Sequence, residues 1–452
     1  MDCKSSISTC ASVALLILSL GFPASAQDSP ATNPPNQDLL PNLYVYNIIV
    51  RGNVKTEEYV IMREMKLQPG DLIVPEDLEY DVNRIYNLGI FSRVEVSIEH
   101  IEDSLATIYL DVDESLSIIP FPIIGIKDRD WDKLYVGAGI LHNNFRGRNE
   151  KIVAAVALGY DPWLTVRYRN PLFDEINNLF FTAEMSFSRI RNKSLYIGIS
   201  EQNFDERHLS TNVTIGKRIG HHAYPSVMFS YRYVRVAEQG VGRTLSPRGR
   251  DEFLSVGAGF TYDSRDLQEY ATRGTYAALS ITRYGLGESV VDYHRLRWDL
   301  RKFVPIPRFL DLTLAARSFG TLSGDGLVPP YAHVYFGYTE RIRGHFSKIY
   351  EGENILGLSA EVRIPLLKPE YFTVDFIPLP ALRIWRFGMN LAVFTDAGKV
   401  WFRPQDLNLT NLIKGYGMGL HFSLPYGIIV RSEYAWNEQQ EGEFIVDLKA
   451  AF

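Results

Sequence analysis

Cysteine is nearly missing from this sequence. Its 452 residues contain two, Cys3 and Cys10, and both fall within an amino-terminal stretch that reads as a cleavable export signal. Lys4 opens a weakly basic region, Ala11 to Phe22 is an almost wholly apolar run, and Ala24-Ser25-Ala26 supplies the small residues that precede a cleavage point. The signal is therefore expected over residues 1–26. An apolar run of about twelve residues is too short to cross about 30 Å of hydrocarbon as a retained helix. Cys10 precedes the apolar run, which argues against a lipid-modified mature cysteine. The exported chain would carry no thiol, which excludes a disulfide framework and a cysteine-based metal site.

Long hydrophobic runs are also lacking beyond that signal, so no helical membrane span is expected. The net charge of −6 is modest and gives no support to nucleic-acid binding. Nine histidines are dispersed, and His221-His222 has no carboxylate at metal-ligand spacing. The sequence shows no phosphate-binding loop, dinucleotide fingerprint, His-Glu-x-x-His or nucleophile elbow. Its glycine cluster, Gly415 to Gly419, alternates with apolar residues and belongs in a strand. The sequence thus offers no catalytic residue, metal site or cofactor site, and it reads as a non-enzyme.

Aromatic residues, by contrast, are abundant: 26 Tyr, 25 Phe and 6 Trp. Much of the chain alternates apolar and polar residues with period two. In the last eleven residues Phe444, Val446, Leu448, Ala450 and Phe452 oppose Glu443, Asp447 and Lys449. Leu356, Leu358, Ala360, Val362 and Ile364 oppose Gly357, Ser359, Glu361 and Arg363, and similar patterns run over 387–393 and 416–424. A mean hydropathy of −0.09 fits strands with one lipid-facing side and one polar side. About 320 residues at about twenty per strand and connection give roughly sixteen strands, an even number suited to a closed antiparallel barrel. A soluble sandwich is the competing reading of the same alternation, but it leaves the export signal and the terminal Phe452 unexplained.

The organisation follows from these patterns. Residues 27–41 are polar, proline-rich and without period, and read as a flexible lead-in. Residues 42–115 read as strand, helix, helix, strand, strand. Thr56 is expected to cap a first helix running to about Met65, and Pro75 to open a second helix that places Leu78, Val82 and Ile85 on one face. A three-stranded sheet covered by both helices is the simple way to bury those faces. Residues 116–130 read as a connector, and 131–452 as a transmembrane antiparallel β-barrel of about 16 strands.

Tyr46 to Glu99, including NIIVRGNVKTEEYVIMREMKLQPGD and IYNLGIFSRVEVSIE, resembles a single POTRA domain, the polypeptide-transport-associated module of the periplasm. The remainder resembles the BamA/TamA superfamily of outer-membrane proteins, also called the bacterial surface antigen family. Four features carry that likeness: Asn143 to Asn149 (NNFRGRN), Tyr262 to Asp266 (YDSRD) with Gly274, Glu340 to His345 (ERIRGH), and Phe394 to Gly398 (FTDAG).

The resemblance implies a bacterial outer-membrane location with the POTRA domain in the periplasm. It implies that residues 319–353 fold back into the barrel and that Arg343-Gly344-His345 locks against its wall. Alternation places Asp396 on the inward side, and a guanidinium held away from water needs an acidic partner. Asp396 is therefore the first candidate for Arg343 and Glu361 the second. His345 stands where the family has an aromatic residue, with Phe346 next to it.

The resemblance further implies assembly or translocation of outer-membrane or surface polypeptides. Unfolded or nascent clients would pair with an exposed sheet edge, for which Phe91, Val94, Val96 and Ile98 are the candidate segment. The barrel seam would lie between the first strand, about Leu134 to Leu141 with Gly137 and Gly139, and the last strand ending at Phe452. The lipid bilayer and other envelope assembly components complete the expected partners. A dedicated two-partner secretion transporter and a passive pore or structural surface antigen are the alternatives.

Overall fold

The computed structural model describes residues 43–102, 104–126, 131–191, 205–237, 242–287, 289–306, 311–405 and 407–448. The expected signal over 1–26, the lead-in over 27–41 and Phe452 lie outside the described residues. The chain divides into two compact units. One comprises the described residues up to Ser115 together with Thr373–Ile384, and the other comprises Leu116–Phe372 with Trp385–Phe452.

In the first unit the elements run β1 (Tyr44–Arg51), α1 (Glu58–Met62), α2 (Pro75–Tyr86), β2 (Phe91–Glu102) and β3 (Leu105–Glu114). The sheet order is β1-β3-β2, with β1 parallel and β2 antiparallel to the central β3. Alternating Ile108, Leu110 and Val112 of β3 are buried, together with Val60 and Ile61 of α1 and Leu78 and Ile85 of α2. Pro75 stands in the first turn of α2, where its missing N–H costs nothing.

Thr56 does not cap α1, which is shorter than its sequence suggested. The hydroxyl and N–H of Thr56 and the N–H of Lys55 all donate to the Glu114 carboxylate at the end of β3. A longer-range acceptor thus captures the residue that local pattern assigned to the helix.

The second unit contains β4 (Ile118–Ile126), β5 (Leu134–Phe145), β6 (Glu150–Gly159), β7 (Trp163–Asp174), β8 (Leu179–Arg191), β9 (Asp205–Lys217) and β10 (Ala223–Val236). It continues with β11 (Arg250–Asp263), β12 (Gly274–Tyr284), β13 (Tyr293–Ile306), β14 (Leu312–Gly324), and the short pair β15 (Val334–Phe336) and β16 (Tyr350–Gly352). β17 (Asn354–Thr373), β18 (Ile384–Trp401), β19 (Ile413–Leu424), β20 (Ile428–Asn437) and β21 (Gly442–Asp447) complete it. All except β15 and β16 form one 16-stranded sheet in sequence order, from β21 at one edge to β4 at the other.

The expected closed barrel is corrected here. Among the described residues no ladder joins β4 to β21, so the sheet has two edges and is not closed. Its first strand is also not where alternation placed it. β4 occupies Ile118–Ile126, inside the stretch read as a connector, and pairs with β5. Prolines at 120 and 122 hid it, because proline cannot donate to a ladder and is tolerated on an edge strand.

The two faces of this sheet invert the pattern of a water-soluble protein. Leu358, Val393, Met418, Tyr434 and Phe444 are exposed, whereas Glu361, Arg363, Asp396 and Glu433 on the opposite parity are buried. Exposed apolar side chains on the outer parity of strand after strand rule out the sandwich reading and suit a hydrocarbon environment.

Candidate functional site

Between β14 and β17 the chain forms a strap, residues 325–353, that carries the β15–β16 pair and lies on the polar face of the sheet. Its anchor is Arg343. Nε and Nη2 donate to the two oxygens of Asp396 on β18 at 2.7 and 2.8 Å, and the backbone N–H of Arg343 donates to the same carboxylate at 3.1 Å. Nη1 donates to Glu361 on β17 at 2.8 Å and to Glu433 on β20 at 3.0 Å. The guanidinium also stands 3.5 Å from the centre of the Phe394 ring. One side chain thereby draws together three sheet strands, using the fork geometry that lysine lacks.

Backbone shape makes this approach available. Gly344 has φ +93°, and a Cβ there would meet the Trp436 carbonyl oxygen at 2.6 Å. Gly415 on β19 lies against the Arg343 carbonyl, where a Cβ would come within 1.6 Å of the oxygen.

The carboxylates are shared onward. Arg363 donates to Glu361 at 2.7 Å and to the Ala271 carbonyl at 3.0 Å, and it lies over the Tyr270 ring. Tyr270 meets His421 Nδ1 at 2.8 Å, His421 Nε2 meets Glu433 at 3.0 Å, and Arg431 donates to both Glu433 and Asp447. Arg343, Arg363 and Arg431 thus balance Asp396, Glu361 and Glu433, so the buried charges compensate one another. Paired in this way, charges can remain buried that would otherwise be prohibitive.

Glu361, His421 and Glu433 bring ligand-type atoms within 4.8 Å of one another. Each of the two carboxylates already accepts from guanidiniums, so a cation entering there would have to displace arginines. The geometry is that of an ion-pair lock.

His345 docks by hydrogen bonds on both nitrogens, Nε2 to Glu438 at 2.7 Å and Nδ1 to the Tyr350 hydroxyl at 2.8 Å. Partial burial of Glu438 works against ionisation, but the bonds from His345 and the Lys414 N–H outweigh it and hold the carboxyl below the usual glutamate range. Phe346 donates its N–H to Glu443 on β21 at 2.6 Å, packs beside Phe394, Ala435 and Ile445, and has the Arg341 guanidinium over its ring. The strap therefore reaches the β20–β21 hairpin and its edge strand.

The remaining positions singled out from sequence fall elsewhere. Gly137 and Gly139 lie on β5, paired on both sides with β4 and β6, so they are not at a sheet edge. A Cβ at Gly139 would strike the Phe121 ring at 2.2 Å, and one at Gly137 the Val156 carbonyl oxygen at 2.0 Å. Close packing accounts for both glycines. In the first unit β2 is an edge strand. Phe91 and Val94 are buried in that unit, Val96 and Ile98 are half-buried, and Glu95, Ser97 and Glu99 are exposed. The other edge, β1, is partly covered, because Val45 exchanges backbone hydrogen bonds with Gly70 and Asp71.

Alternation set Arg363 and His421 on the polar face of their strands without nominating them as members of the lock, and it did not single out Glu433, Tyr270 or Arg431 at all. Arg431 and Glu433 share parity in β20, which was a usable signal once that strand was recognised.

Comparison with known proteins decides the family. The family model described as Omp85 superfamily domain matches residues 144–445. The chain belongs to the Omp85 superfamily. A second family model, POTRA, described as surface antigen variable number repeat, matches residues 43–115. Membership places this Omp85 chain in the bacterial outer membrane with its POTRA module in the periplasm, and the family is one of non-catalytic proteins.

The outer membrane protein assembly factor BamA of Nitratidesulfovibrio vulgaris is 24% identical over 412 residues, covering 88% of this chain and 45% of that protein. The chain thus spans less than half the length of this relative. Among solved structures, BamA from Haemophilus ducreyi lacking POTRA domains 1–3 aligns at a TM-score of 0.53 and 16% identity, covering 90% of this chain and 83% of that one. CdiB from Escherichia coli aligns at 0.55 and 10% identity, covering 90% and 75%. These likenesses concern the fold.

Proposed function

We propose that this chain assists the assembly or translocation of outer-membrane or surface polypeptides, taking unfolded or nascent clients at its POTRA module. The single observation that carries this reading is the open edge of β2 in a module matched as POTRA. Backbone groups on such an edge bind an extended chain with little demand on its sequence, which suits many clients. Recognition would run through the main chain and the exposed Glu95, Ser97 and Glu99, because the apolar side chains of β2 point largely into the module.

The membrane-facing counterpart is the 16-stranded sheet, whose edge strand β21 is held by the strap through Glu443. A client strand could be guided along such an edge, with the strap fixing the geometry of the β20–β21 hairpin. No residue acts as a catalyst in this scheme. The work done is backbone pairing and exclusion of wrong pairing.

Site-specific photocrosslinking from Glu95, Ser97 and Glu99 in growing cells tests the proposal. Adducts with several outer-membrane precursors are expected. Adducts with one secreted protein would point instead to a dedicated secretion transporter, and an absence of client adducts would reject the role of this edge.

A further inference from the structure

At one end of the large sheet four arginines stand directly opposite one another on successive strands. Arg189 of β8 is paired in register with Arg207 of β9, Arg207 with Arg235 of β10, and Arg235 with Arg250 of β11. Neighbouring strands lie about 4.8 Å apart, so the row extends across about 15 Å.

All four arginines are exposed. Each shares its parity with the apolar outer face: Arg189 with Phe187, Arg207 with Ile215, Arg235 with Phe229 and Arg250 with Leu254, all four of them exposed apolar residues. The alternate positions Glu206, Val234 and Asp251 are buried on the opposite face. The row therefore borders the surface that suits hydrocarbon. Its place along the strands follows from topology. β4 opens directly after the POTRA match ends at residue 115, and the strands run antiparallel in sequence order. The end of β8, the start of β9, the end of β10 and the start of β11 thus share the end of the sheet away from the periplasm.

Like charges directly opposite one another destabilise a sheet, so a row of four calls for anions beside it. Asp205 accepts from Arg189 Nε at 2.7 Å. Glu252 stands 3.7 Å from Arg250 and also accepts from the Tyr231 hydroxyl at 2.8 Å. These two carboxylates serve the flanks of the row. Among the described residues the central pair, Arg207 and Arg235, forms no ion pair.

We propose that this row, centred on Arg207 and Arg235, binds the phosphate groups of lipids in the outer leaflet. The ligand must be an amphiphile, because the same strands present exposed apolar side chains immediately below the charges, where acyl chains would lie. Phosphate suits the row because its several oxygens accept from guanidinium forks on neighbouring strands at once. Long arginine side chains on an outer face can also turn their charged heads toward the headgroup layer while their stems stay against apolar surface.

The test uses the full chain, purified folded in detergent micelles, and titration calorimetry at fixed ionic strength. The probes are a phosphorylated glycolipid, the same glycolipid after dephosphorylation, and inorganic phosphate. The variant is Arg207→Gln combined with Arg235→Gln, two exposed positions, and heat-modifiable migration verifies that it is folded. Lys302→Gln is the control, since it removes an exposed outward charge near the opposite end of β13. Glu201→Gln and Glu238→Gln complete the set, being the acids of the connections 192–204 and 238–241 that join these strands.

Wild type and Lys302→Gln are expected to bind the phosphorylated glycolipid about tenfold or more tightly than its dephosphorylated form, and the double variant to lose that preference. The preference should shrink as salt is raised. Three results would overturn the proposal. One is a folded double variant that keeps the preference. Another is inorganic phosphate binding as tightly as the glycolipid, which would remove the lipid from the account. The third is a wild type without preference that acquires it on Glu201→Gln or Glu238→Gln, because a carboxylate of the chain would then be the partner of the row.

Discussion

Arg343 and Asp396, 53 residues apart, are joined by three hydrogen bonds, two from the guanidinium and one from the backbone N–H. The arrangement couples the position of the strap backbone to β18 as well as that of the side chain. Removing either partner leaves a buried charge without compensation, so Arg343→Ala is expected to cost about 3–5 kcal/mol. Arg343→Lys should recover only part of this, since one ammonium cannot form the fork with Asp396 while serving Glu361 and Glu433. Heat-modifiable migration of the folded form, followed against temperature, measures both. Wild-type melting of Arg343→Ala would remove the lock from any account of stability.

Gly415 offers a test of the same contact that changes no charge. Its absent side chain is what admits the Arg343 carbonyl, and a Cβ at 1.6 Å from that oxygen must displace backbone. Gly415→Ala is therefore expected to shift the strap and destabilise the folded form by about 1–3 kcal/mol, the usual range for overpacking. Protease sensitivity of residues 341–350 should rise in this variant. Gly417→Ala is a poor control, because Gly417 is also tightly packed, by the Tyr434 carbonyl.

Much of this lock was legible in the residues, for a physical reason. Alternation fixes which side chains share a face, so Asp396 and Glu361 could be assigned to the polar side, whereas Arg343 lies outside the alternating strands and was brought to them only by the family resemblance. Glu433 was not legible in that way, because its nearness to Arg343 depends on β18, β19 and β20 being neighbours. Phe394 went unnoticed as the platform beneath the guanidinium. Closure was misjudged because pairing of first and last strands is a long-range property that local period does not contain. Thr56 shows the same limit on a smaller scale, since its partner Glu114 is 58 residues away.

His345 presents a flat ring that bonds at both nitrogens. His345→Phe keeps the ring against Tyr350 and loses the bonds to Glu438 and the Tyr350 hydroxyl. A loss of about 1–3 kcal/mol is expected from two such bonds, larger than for an exposed histidine. Glu438→Gln in the His345→Phe background should then add little, because the two changes remove one interaction. A double-mutant cycle on the melting of the folded form checks this, and full additivity would show that His345 and Glu438 do not act as a pair.

Asp81 of α2 gives the periplasmic module a pH response of unusual sign. Its carboxylate accepts from the N–H groups of Lys66 at 2.6 Å and Leu67 at 3.1 Å, yet burial outweighs these bonds and pushes its pKa up. Above the usual aspartate value of about 3.9, the folded module therefore holds a proton that the unfolded chain has released. The stability this group contributes is complete below that value and is lost as pH rises through the raised, folded value. Asp81→Asn removes the titration and keeps a carbonyl acceptor for one of the two N–H groups. Urea denaturation of the POTRA module, followed in the full chain between pH 4 and about 7, should show wild type losing stability relative to Asp81→Asn as pH increases. The comparison with the variant isolates Asp81 from the other carboxylates of the module. A difference between the two proteins that stays constant across the range would mean that Asp81 is ionised in both folded and unfolded chains.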